Sequence, residues 1–297
     1  MNFDPALPFG RVLTAMITPF SEEGHPDHER MWRLARFLSE HGSDGLVVTG
    51  TTGESPTLTK DEKIALYRTV VEAVENKDTL VLAGTGTYDT AESVYLSERA
   101  AEVGVDGIMA VTPYYSKPGQ EGLVRHFRAI ADATDLPLLV YNIPGRTGRL
   151  IEVATLARLA EHERIVATKD AVMDIDFTSE TVHTVKGMVV YSGQDSYTLP
   201  MMSVGAVGVI SVISHLAGDE VSAMVMAAAK NDLAEARRLH YALLPLCEAC
   251  FLEPNPGPVK AAMTALWEPV GEPRLPLTVA SSNTLDAVQA AMGALRP

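Results

Sequence analysis

The 297-residue sequence is poor in cysteine and in positive charge, and each shortage excludes a class of protein. Its two cysteines, Cys247 and Cys250, are too few for the disulfide framework of a small secreted protein. Lys and Arg number 24 against 38 acidic residues, for a formal net charge of -14, and they form no long basic run. Because nucleic-acid binding requires clustered positive charge, we expect no nucleic-acid partner.

Long apolar runs are also missing, and no uninterrupted stretch reaches the roughly 20 residues that a membrane helix needs. The N-terminus lacks a positively charged segment followed by an apolar one, so we expect a cytoplasmic protein without a membrane partner. Cys247 and Cys250 form a C-x-x-C motif, but no second ligand pair has the spacing of a zinc site. We interpret them as small core residues on one face of a helix over residues 241–252.

What the sequence does contain is a regular alternation of short apolar, β-branched runs with segments of helical spacing. The predicted strands lie at residues 11–18, 45–49, 79–83, 107–111, 136–141, 164–170, 187–191 and 208–212. Apolar strands that alternate with helices predict a parallel sheet covered on both faces. Eight such units in about 210 residues fit a closed (β/α)8 TIM barrel better than an open sheet. An open nucleotide-binding sheet would usually carry a G-x-G-x-x-G motif after its first strand, and none is present there.

The division of the chain follows from this count of units. We assign residues 1–218 to the α/β barrel and residues 219–297 to a C-terminal helical extension. Its predicted helices lie at residues 221–229, 233–246, 259–267 and 282–295. Added helices of this kind pack on the barrel or build subunit contacts, and the sequence does not distinguish the two.

Polar residues are concentrated at the predicted C-terminal ends of the strands, where the active site of a TIM barrel lies. The segments are GTTGES at 50–55, TPYY at 112–115, YNIPGR at 141–146, KD at 169–170 and GQD at 193–195. They contain no histidine, so we expect no metal ion. Lys169 is the only lysine that closes a β-branched apolar run. If Lys169 is buried away from solvent, its pKa falls, and the free amine can form a Schiff base with a carbonyl compound.

Each of these features has a simpler structural interpretation when it is considered alone. Lys169 could extend its ammonium group to solvent from the end of a strand, and Arg146 could pair with a surface acid. The tyrosines at 114 and 115 could serve packing or an interface. Together, however, five strand ends of one barrel supply the parts of a single reaction, which favours function.

Several motifs, in order along nearly the whole chain, resemble those of the dihydrodipicolinate synthase and N-acetylneuraminate lyase family. They are GTTGES at 50–55, TPYYSKP at 112–118, YNIPGRTG at 141–148, the strand lysine Lys169, GVIS at 208–211 and EPNPGPVK at 253–260. The resemblance implies a class I aldolase-type enzyme in which Lys169 forms a Schiff base with pyruvate. Such an enzyme needs neither a cofactor nor a metal. In the synthases of this family, the resulting enamine attacks L-aspartate-4-semialdehyde and gives 4-hydroxy-tetrahydrodipicolinate, a precursor of diaminopimelate and lysine.

The resemblance also implies roles for individual hydroxyl residues. By position, Thr51, Tyr141 and Tyr115 match the family's proton relay. Tyr115 would be donated across a subunit interface, which implies a homo-oligomer, and the family suggests a tetramer built from tight dimers. Thr51 and Thr52 match the residues that hold the carboxylate of pyruvate.

Gly193 and Ile210 match family positions that line the pocket through backbone groups. Arg146 distinguishes the subfamilies, because a guanidinium can bind the carboxylate of the aldehyde substrate with two hydrogen bonds. Sugar-acid lyases of the family usually lack this arginine. We therefore predict a synthase, with a pyruvate-dependent lyase acting on a sugar acid as the alternative. A non-catalytic barrel that serves only in binding is disfavoured, because a binder does not need a buried amine with a proton relay.

The chain departs from the family where regulated synthases bind free lysine. Lys60, Lys63 and Tyr88 replace two histidines and an asparagine that are common there, whereas Glu92 and Tyr114 are kept. Two added ammonium groups should repel a cationic ligand. We therefore predict weak or absent feedback by L-lysine.

Three further departures concern the pocket. Thr168 stands where an aliphatic residue is usual, Gln194 where an acid is common, and His215 where asparagine is frequent. They could change pocket polarity or substrate range, but they remove no proposed catalytic group.

Overall fold

The computed structural model describes residues 4–295. The strands are Val12–Ala15 (β1), Gly45–Val48 (β2), Leu80–Gly84 (β3), Gly107–Val111 (β4), Leu138–Asn142 (β5), Ile165–Asp170 (β6), Val189–Ser192 (β7) and Gly208–Ser211 (β8). They form a closed barrel in sequence order, in which all neighbours are parallel and β8 pairs with β1. The predicted (β/α)8 barrel is confirmed.

Helices surround the barrel and extend beyond it at the C-terminal end of the chain. They are His28–Glu40 (α1), Lys60–Val74 (α2), Thr90–Val103 (α3), Gln120–Asp132 (α4), Pro144–Thr147 (α5), Val153–Leu159 (α6), Ile175–Thr184 (α7), Thr198–Ser203 (α8), Ser214–Ala229 (α9), Leu233–Ala249 (α10), Gly257–Leu266 (α11) and Ser282–Leu295 (α12). Within residues 4–295, none of them is both long enough and apolar enough to cross a membrane.

Local capping residues explain where the first helices begin. The Asp27 carboxylate accepts a hydrogen bond from Arg30 N at the start of α1. Thr59 and Glu62 form a reciprocal capping box at the start of α2, with Thr59 N donating to Glu62 Oε2 over 2.8 Å. Both caps satisfy amide groups that the first turn of a helix leaves unpaired.

The core has two layers, because successive side chains of a strand point to opposite faces of the sheet. One cluster fills the barrel interior and includes Leu13, Leu82 and Leu139. The larger cluster lies between the strands and the helices. The strand β8 begins with Gly208, where an added Cβ would lie 1.9 Å from Arg11 O. The two strands that close the barrel can therefore approach each other only at a glycine.

Two helices were not predicted, and their composition explains why. On α7 the fully buried side chains are Thr178 and Thr181. The apolar Ile175, Phe177 and Val182 are only partly buried, so the apolar period of this helix is weak. The helix α5 is a single turn that begins at Pro144 and is too short to show a period.

The C-terminal helices pack against one another and against the barrel, with α10 lying on both α9 and α12. Cys247 and Cys250 are free and buried, as predicted, and burial raises the pKa of both thiols. The proposed division at residues 218 and 219 falls within α9, where Ala217 has non-helical backbone angles. That division stays a prediction, and its outermost residues, 1–3 and 296–297, lie outside the described part of the chain.

Candidate active site

The strand β6 brings Lys169 into the barrel next to two tyrosines on neighbouring strands. Its backbone pairs with Tyr141 on β5 and with Tyr191 on β7. The side chain of Lys169 is only 5% exposed, and its Nζ lies 4.3 Å from the centre of the Tyr141 ring. The predicted lysine and one predicted partner are thus neighbours because strands 5 and 6 pair in this register.

The surroundings of Lys169 weaken its ammonium form. Burial lowers the pKa of Lys169 to about 8, because the charged form loses its hydration. The Asp195 carboxylate raises this pKa, and the Arg146 guanidinium lowers it. The free amine that Schiff-base formation requires is therefore much more populated near neutral pH than in an ordinary exposed lysine.

Asp195 is a buried acid to which the sequence assigned no role. Its carboxylate accepts hydrogen bonds from Ser211 Oγ and from Val212 N, the latter over 2.9 Å. Burial raises the pKa of Asp195, and these hydrogen bonds oppose the increase. The available signal was its place directly after β7, in the strand-end segment GQD.

Tyr141 is held as a protonated phenol. Burial raises its pKa to about 12, while the Arg146 charge and the nearby Thr51 hydroxyl act in the opposite direction. A phenol that keeps its proton at neutral pH can both donate and accept a hydrogen bond. It is therefore suited to moving protons beside the lysine amine.

A cavity of about 220 Å³ opens at the C-terminal ends of strands β2 to β5. Its lining consists of Thr49, Gly50, Thr51, Ser55, Pro56, Gly84, Gly86, Met109, Val111, Tyr114, Tyr141, Ile143, Arg146 and Thr147. Three predicted site residues, Thr51, Tyr141 and Arg146, are in this lining. Tyr114 also lines it, although the resemblance assigned a catalytic role to its neighbour Tyr115.

Arg146 presents an unpaired guanidinium to this cavity. It lies on the single turn α5, which ends at Gly148 with φ +66°. Among the described residues, no carboxylate lies within 4.0 Å of its guanidinium and no side-chain hydrogen bond holds it. The alternative of a surface ion pair is therefore not realised within residues 4–295, and the group is available to an anionic ligand.

Lys169 itself is not part of the cavity lining but lies behind Tyr141, and three further predicted residues near it or near the loop are also outside the lining. Gly193 N donates to Asp170 O over 2.7 Å, and an added Cβ at Gly193 would lie 3.0 Å from Lys169 Cγ. Ile210 is buried in the barrel interior on β8. Thr52 is buried, and its Oγ1 accepts a hydrogen bond from Asn255 Nδ2 over 2.9 Å.

Tyr115 does not join the cavity within this chain. Its side chain is 94% exposed, and its backbone has φ +67°, a left-handed conformation that non-glycine residues seldom adopt. The preceding Tyr114 instead packs edge-on against Tyr88, with ring centres 5.3 Å apart. The described chain thus holds three members of the predicted catalytic set together and leaves Tyr115 outside.

The loop that carries Thr51 and Thr52 is supported by the C-terminal extension. Glu54 at its end has φ +57° and accepts hydrogen bonds from Lys260 Nζ over 2.9 Å and from Arg274 N over 2.7 Å. The EPNPGPVK segment was recognised in the sequence only as a motif. Its contacts explain its composition, since both its asparagine and its lysine bind this loop.

The departures from the family pattern also have definite places. Lys63 is 4% exposed; burial lowers its pKa, the Glu92 charge raises it and the Lys60 charge lowers it. His215 donates from Nδ1 to Val212 O and accepts from Ile17 N at Nε2, so its ring is neutral.

Proteins with established names are similar to this chain over nearly its whole length. The sequence model of the dihydrodipicolinate synthetase family matches residues 8–295. The 4-hydroxy-tetrahydrodipicolinate synthase of Moorella thermoacetica is 51% identical over 285 residues, which cover 96% of this chain and 97% of that protein. A crystal structure of dihydrodipicolinate synthase from Bacillus anthracis has a TM-score of 0.93 at 44% identity and covers 97% of this chain and 98% of that one. A lysine-bound synthase structure from Cyanidioschyzon merolae has a TM-score of 0.94 at 42% identity, with the same coverage.

Proposed function

Because the chain belongs to the dihydrodipicolinate synthetase family, we propose that it condenses pyruvate with L-aspartate-4-semialdehyde to give 4-hydroxy-tetrahydrodipicolinate. The chain is a lyase of the Schiff-base type, and its place is in diaminopimelate and lysine biosynthesis. The predicted synthase is favoured over the sugar-acid lyase by relatives at about half identity that carry the synthase name. The observation that carries the chemistry is Lys169, a buried amine with a pKa of about 8 at the end of β6. We also propose a cytoplasmic location, where both substrates are metabolites.

The reaction begins with attack of the Lys169 amine on the keto carbon of pyruvate, and loss of water leaves an imine. Removal of a proton from the pyruvate methyl group gives an enamine, whose carbon forms a bond with the aldehyde carbon of the second substrate. The amino group of that substrate then attacks the imine carbon, which closes the ring and releases Lys169. Each step moves a proton, so a group that both donates and accepts is needed beside the amine.

Tyr141 is our candidate for that group, with Thr51 and Tyr115 completing a relay to solvent. Support comes from the Tyr141 ring at 4.3 Å from Lys169 Nζ and from Thr51 in the lining of the same cavity. We propose that the hydroxyls of Thr51 and Thr52 bind the pyruvate carboxylate, and that Gly193 and Ile210 border it through backbone groups.

Arg146 is our candidate for binding the carboxylate of the aldehyde substrate. It lines the cavity, and its guanidinium has no carboxylate partner among residues 4–295. A planar guanidinium can donate two parallel hydrogen bonds to a carboxylate. A sugar acid would place hydroxyl groups there instead, which can accept single hydrogen bonds but lack the paired, charged oxygens of a carboxylate.

Tyr115 requires a second subunit in this proposal. Its 94% exposed side chain lies outside the cavity of its own chain, so it reaches a relay only in the site of a neighbour. We propose a homo-oligomer, with a dimer as the minimal active unit and a tetramer of two dimers as the full assembly. Sedimentation of wild type and of Tyr115→Phe tests this, and a fully active monomer would contradict it.

We further propose that L-lysine inhibits this enzyme weakly or not at all. The Cyanidioschyzon merolae structure contains bound lysine. In this chain Lys60 and Lys63 both lie on α2, and the charges of Lys60 and Glu92 act on Lys63. A cationic ligand would add a third positive charge there. Inhibition by sub-millimolar lysine would show that this reasoning is wrong.

The central experiment uses pyruvate, borohydride and mass spectrometry on the intact protein. We expect the mass of one reduced pyruvate adduct, on the peptide that contains Lys169. Lys169→Ala should abolish the adduct, whereas Lys186→Ala should keep it, because Lys186 is exposed and donates only to His183 O. An unmodified wild-type protein would exclude both the synthase and the lyase function.

The second substrate is tested by turnover with Arg146→Ala. We expect the KM for aspartate semialdehyde to rise by roughly 10-fold to 100-fold, the value of a hydrogen-bonded charge pair, while the pyruvate adduct still forms. Unchanged turnover of the semialdehyde would contradict the role of Arg146. Turnover of a sugar acid faster than the condensation would favour the alternative function.

A further inference from the structure

Asn255 connects the C-terminal extension to the loop that carries the proposed pyruvate-binding hydroxyls. It lies between α10 and α11 and is 5% exposed. Its Nδ2 donates to Thr52 Oγ1 over 2.9 Å, across 203 positions of sequence. The contact is one buried hydrogen bond between two neutral side chains. A single bond of this kind is too weak to hold the whole C-terminal extension in place.

The direction of this hydrogen bond decides what Thr52 can do. A threonine hydroxyl has one proton and two lone pairs. Because Asn255 donates, it occupies a lone pair and leaves the proton of Thr52 uncommitted. In the part of the chain that the structure describes, no acceptor receives that proton. Thr52 therefore keeps a hydroxyl proton that it can donate to a ligand.

The other end of the Asn255 side chain supports this interpretation. Its Oδ1 is buried and has no hydrogen-bond partner among residues 4–295. An unpaired buried carbonyl is unfavourable, and an apolar residue of similar size would avoid it. The amide therefore adds little to the stability of its own segment. Within the described chain, the Thr52 hydroxyl is the one polar contact of this side chain.

We propose that Asn255 is a positioning residue that holds the Thr52 hydroxyl as a hydrogen-bond donor to the carboxylate of pyruvate. The proposal rests on the proposed function, in which Thr52 binds that carboxylate. Asn255 is not among the residues that line the cavity, so we assign it no contact with either substrate. Its loss should weaken pyruvate binding and leave the chemistry of the bound imine nearly unchanged.

The test is a double-mutant cycle that measures the pyruvate concentration for half-maximal borohydride trapping. Thr52→Val removes the hydroxyl at nearly constant volume and should raise this concentration roughly tenfold, as expected for one hydrogen bond to a carboxylate. Asn255→Ala should raise it about fivefold in the wild type and have no effect, within about twofold, in Thr52→Val, because the partner is absent there. An equal effect of Asn255→Ala in both backgrounds would mean that it acts on the loop in general, and this would overturn the proposal.

Two further variants distinguish a specific effect on the Thr52 hydroxyl from a general effect on folding. Asn255→Asp can only accept a hydrogen bond when ionised, so it should attract the Thr52 proton, add a negative charge and weaken pyruvate binding more than Asn255→Ala does. Asn283→Ala, on the exposed face of α12, is the matched control and should leave binding unchanged. Tighter binding of pyruvate by Asn255→Asp than by Asn255→Ala would refute the proposal. If Thr52→Val leaves pyruvate binding intact, the assignment of Thr52 fails, and the adduct on Lys169 still decides the enzyme function independently.

Discussion

Lys260 is a buried ammonium group whose removal should destabilise the protein strongly. It is 2% exposed, and its Nζ donates to Glu54 Oε1 over 2.9 Å, to Thr18 O over 3.1 Å and to Glu272 O over 3.2 Å. The same nitrogen lies 4.3 Å from the centre of the Phe20 ring. Lys260→Met keeps most of the apolar stem and removes the charge with all three hydrogen bonds.

The magnitude follows from what Lys260→Met leaves behind. The Glu54 carboxylate would stay buried, with the Arg274 amide as its remaining donor at 2.7 Å. Breaking one side of a buried ion pair costs about 3–5 kcal/mol, because the other charge remains desolvated. Adding Glu54→Gln removes that charge, and a glutamine oxygen can still accept from Arg274 N. The free energy of unfolding of the double variant Lys260→Met/Glu54→Gln should therefore be only about 2 kcal/mol lower than that of the wild type, which is the value of the two lost hydrogen bonds to carbonyl groups.

The measurement is urea unfolding followed by circular dichroism at one protein concentration, because an oligomer's stability depends on it. Lys230→Met is the matched control, since Lys230 is exposed and its replacement should change stability by less than about 0.5 kcal/mol. A decrease in the free energy of unfolding of less than about 1 kcal/mol for Lys260→Met would refute the reasoning. A double variant no more stable than Lys260→Met alone would refute it as well.

Three further predictions concern protonation and a helix end. Imine formation with pyruvate should rise with pH through an apparent pKa near 8, that of Lys169. Asp195→Asn should lower this apparent pKa, because the Asp195 carboxylate favours the ammonium form of Lys169. Borohydride trapping across the pH range measures the apparent pKa in both proteins, and an unchanged value in Asp195→Asn would contradict the role of the carboxylate. Burial lowers the pKa of His215 to about 4, against about 6.5 when unfolded, so the unfolded chain binds a proton first as pH falls. The free energy of unfolding should therefore decrease between pH 6.5 and 4, by about 3 kcal/mol in total. His215→Asn should weaken this pH dependence, which urea titrations at pH 7 and pH 5 measure. An equal loss of stability between the two pH values in both proteins would contradict the prediction. Thr59→Ala should lower the free energy of unfolding by about 1 kcal/mol, because it removes the capping box at the start of α2. A urea midpoint equal to that of the wild type would exclude this role of Thr59.

The fold could be predicted because its signals are local. Short β-branched runs predict strands wherever the barrel needs them, and the predicted strand at 107–111 coincides with Gly107–Val111. The helix α7 escaped prediction because Thr178 and Thr181 form its buried face. Hydroxyl residues at the most buried positions weaken the apolar period by which a helix is detected in a sequence.

The candidate site was predictable to the extent that it lies at strand ends. Lys169 and Tyr141 close neighbouring strands, and the parallel register of those strands places them side by side. Tyr115 was named from resemblance, and within residues 4–295 nothing brings it to the cavity. A surface position of this kind acquires a role only from another subunit, which a single sequence does not describe.

By itself the sequence predicted the barrel, which the structure confirms, and it singled out Lys169 as the candidate amine, because the alternation of apolar runs and the residue at the end of each run are properties of neighbouring residues. Only the tertiary structure decided which distant residues prepare the site. Closure of the barrel brings Asp195 close enough to Lys169 to affect its charge, and packing of the C-terminal helices brings Asn255 and Lys260 to the loop after β2. These contacts join positions that are up to 206 residues apart, and no local pattern records such a pairing. The pKa of Lys169 likewise follows from burial, which exists only in the folded chain.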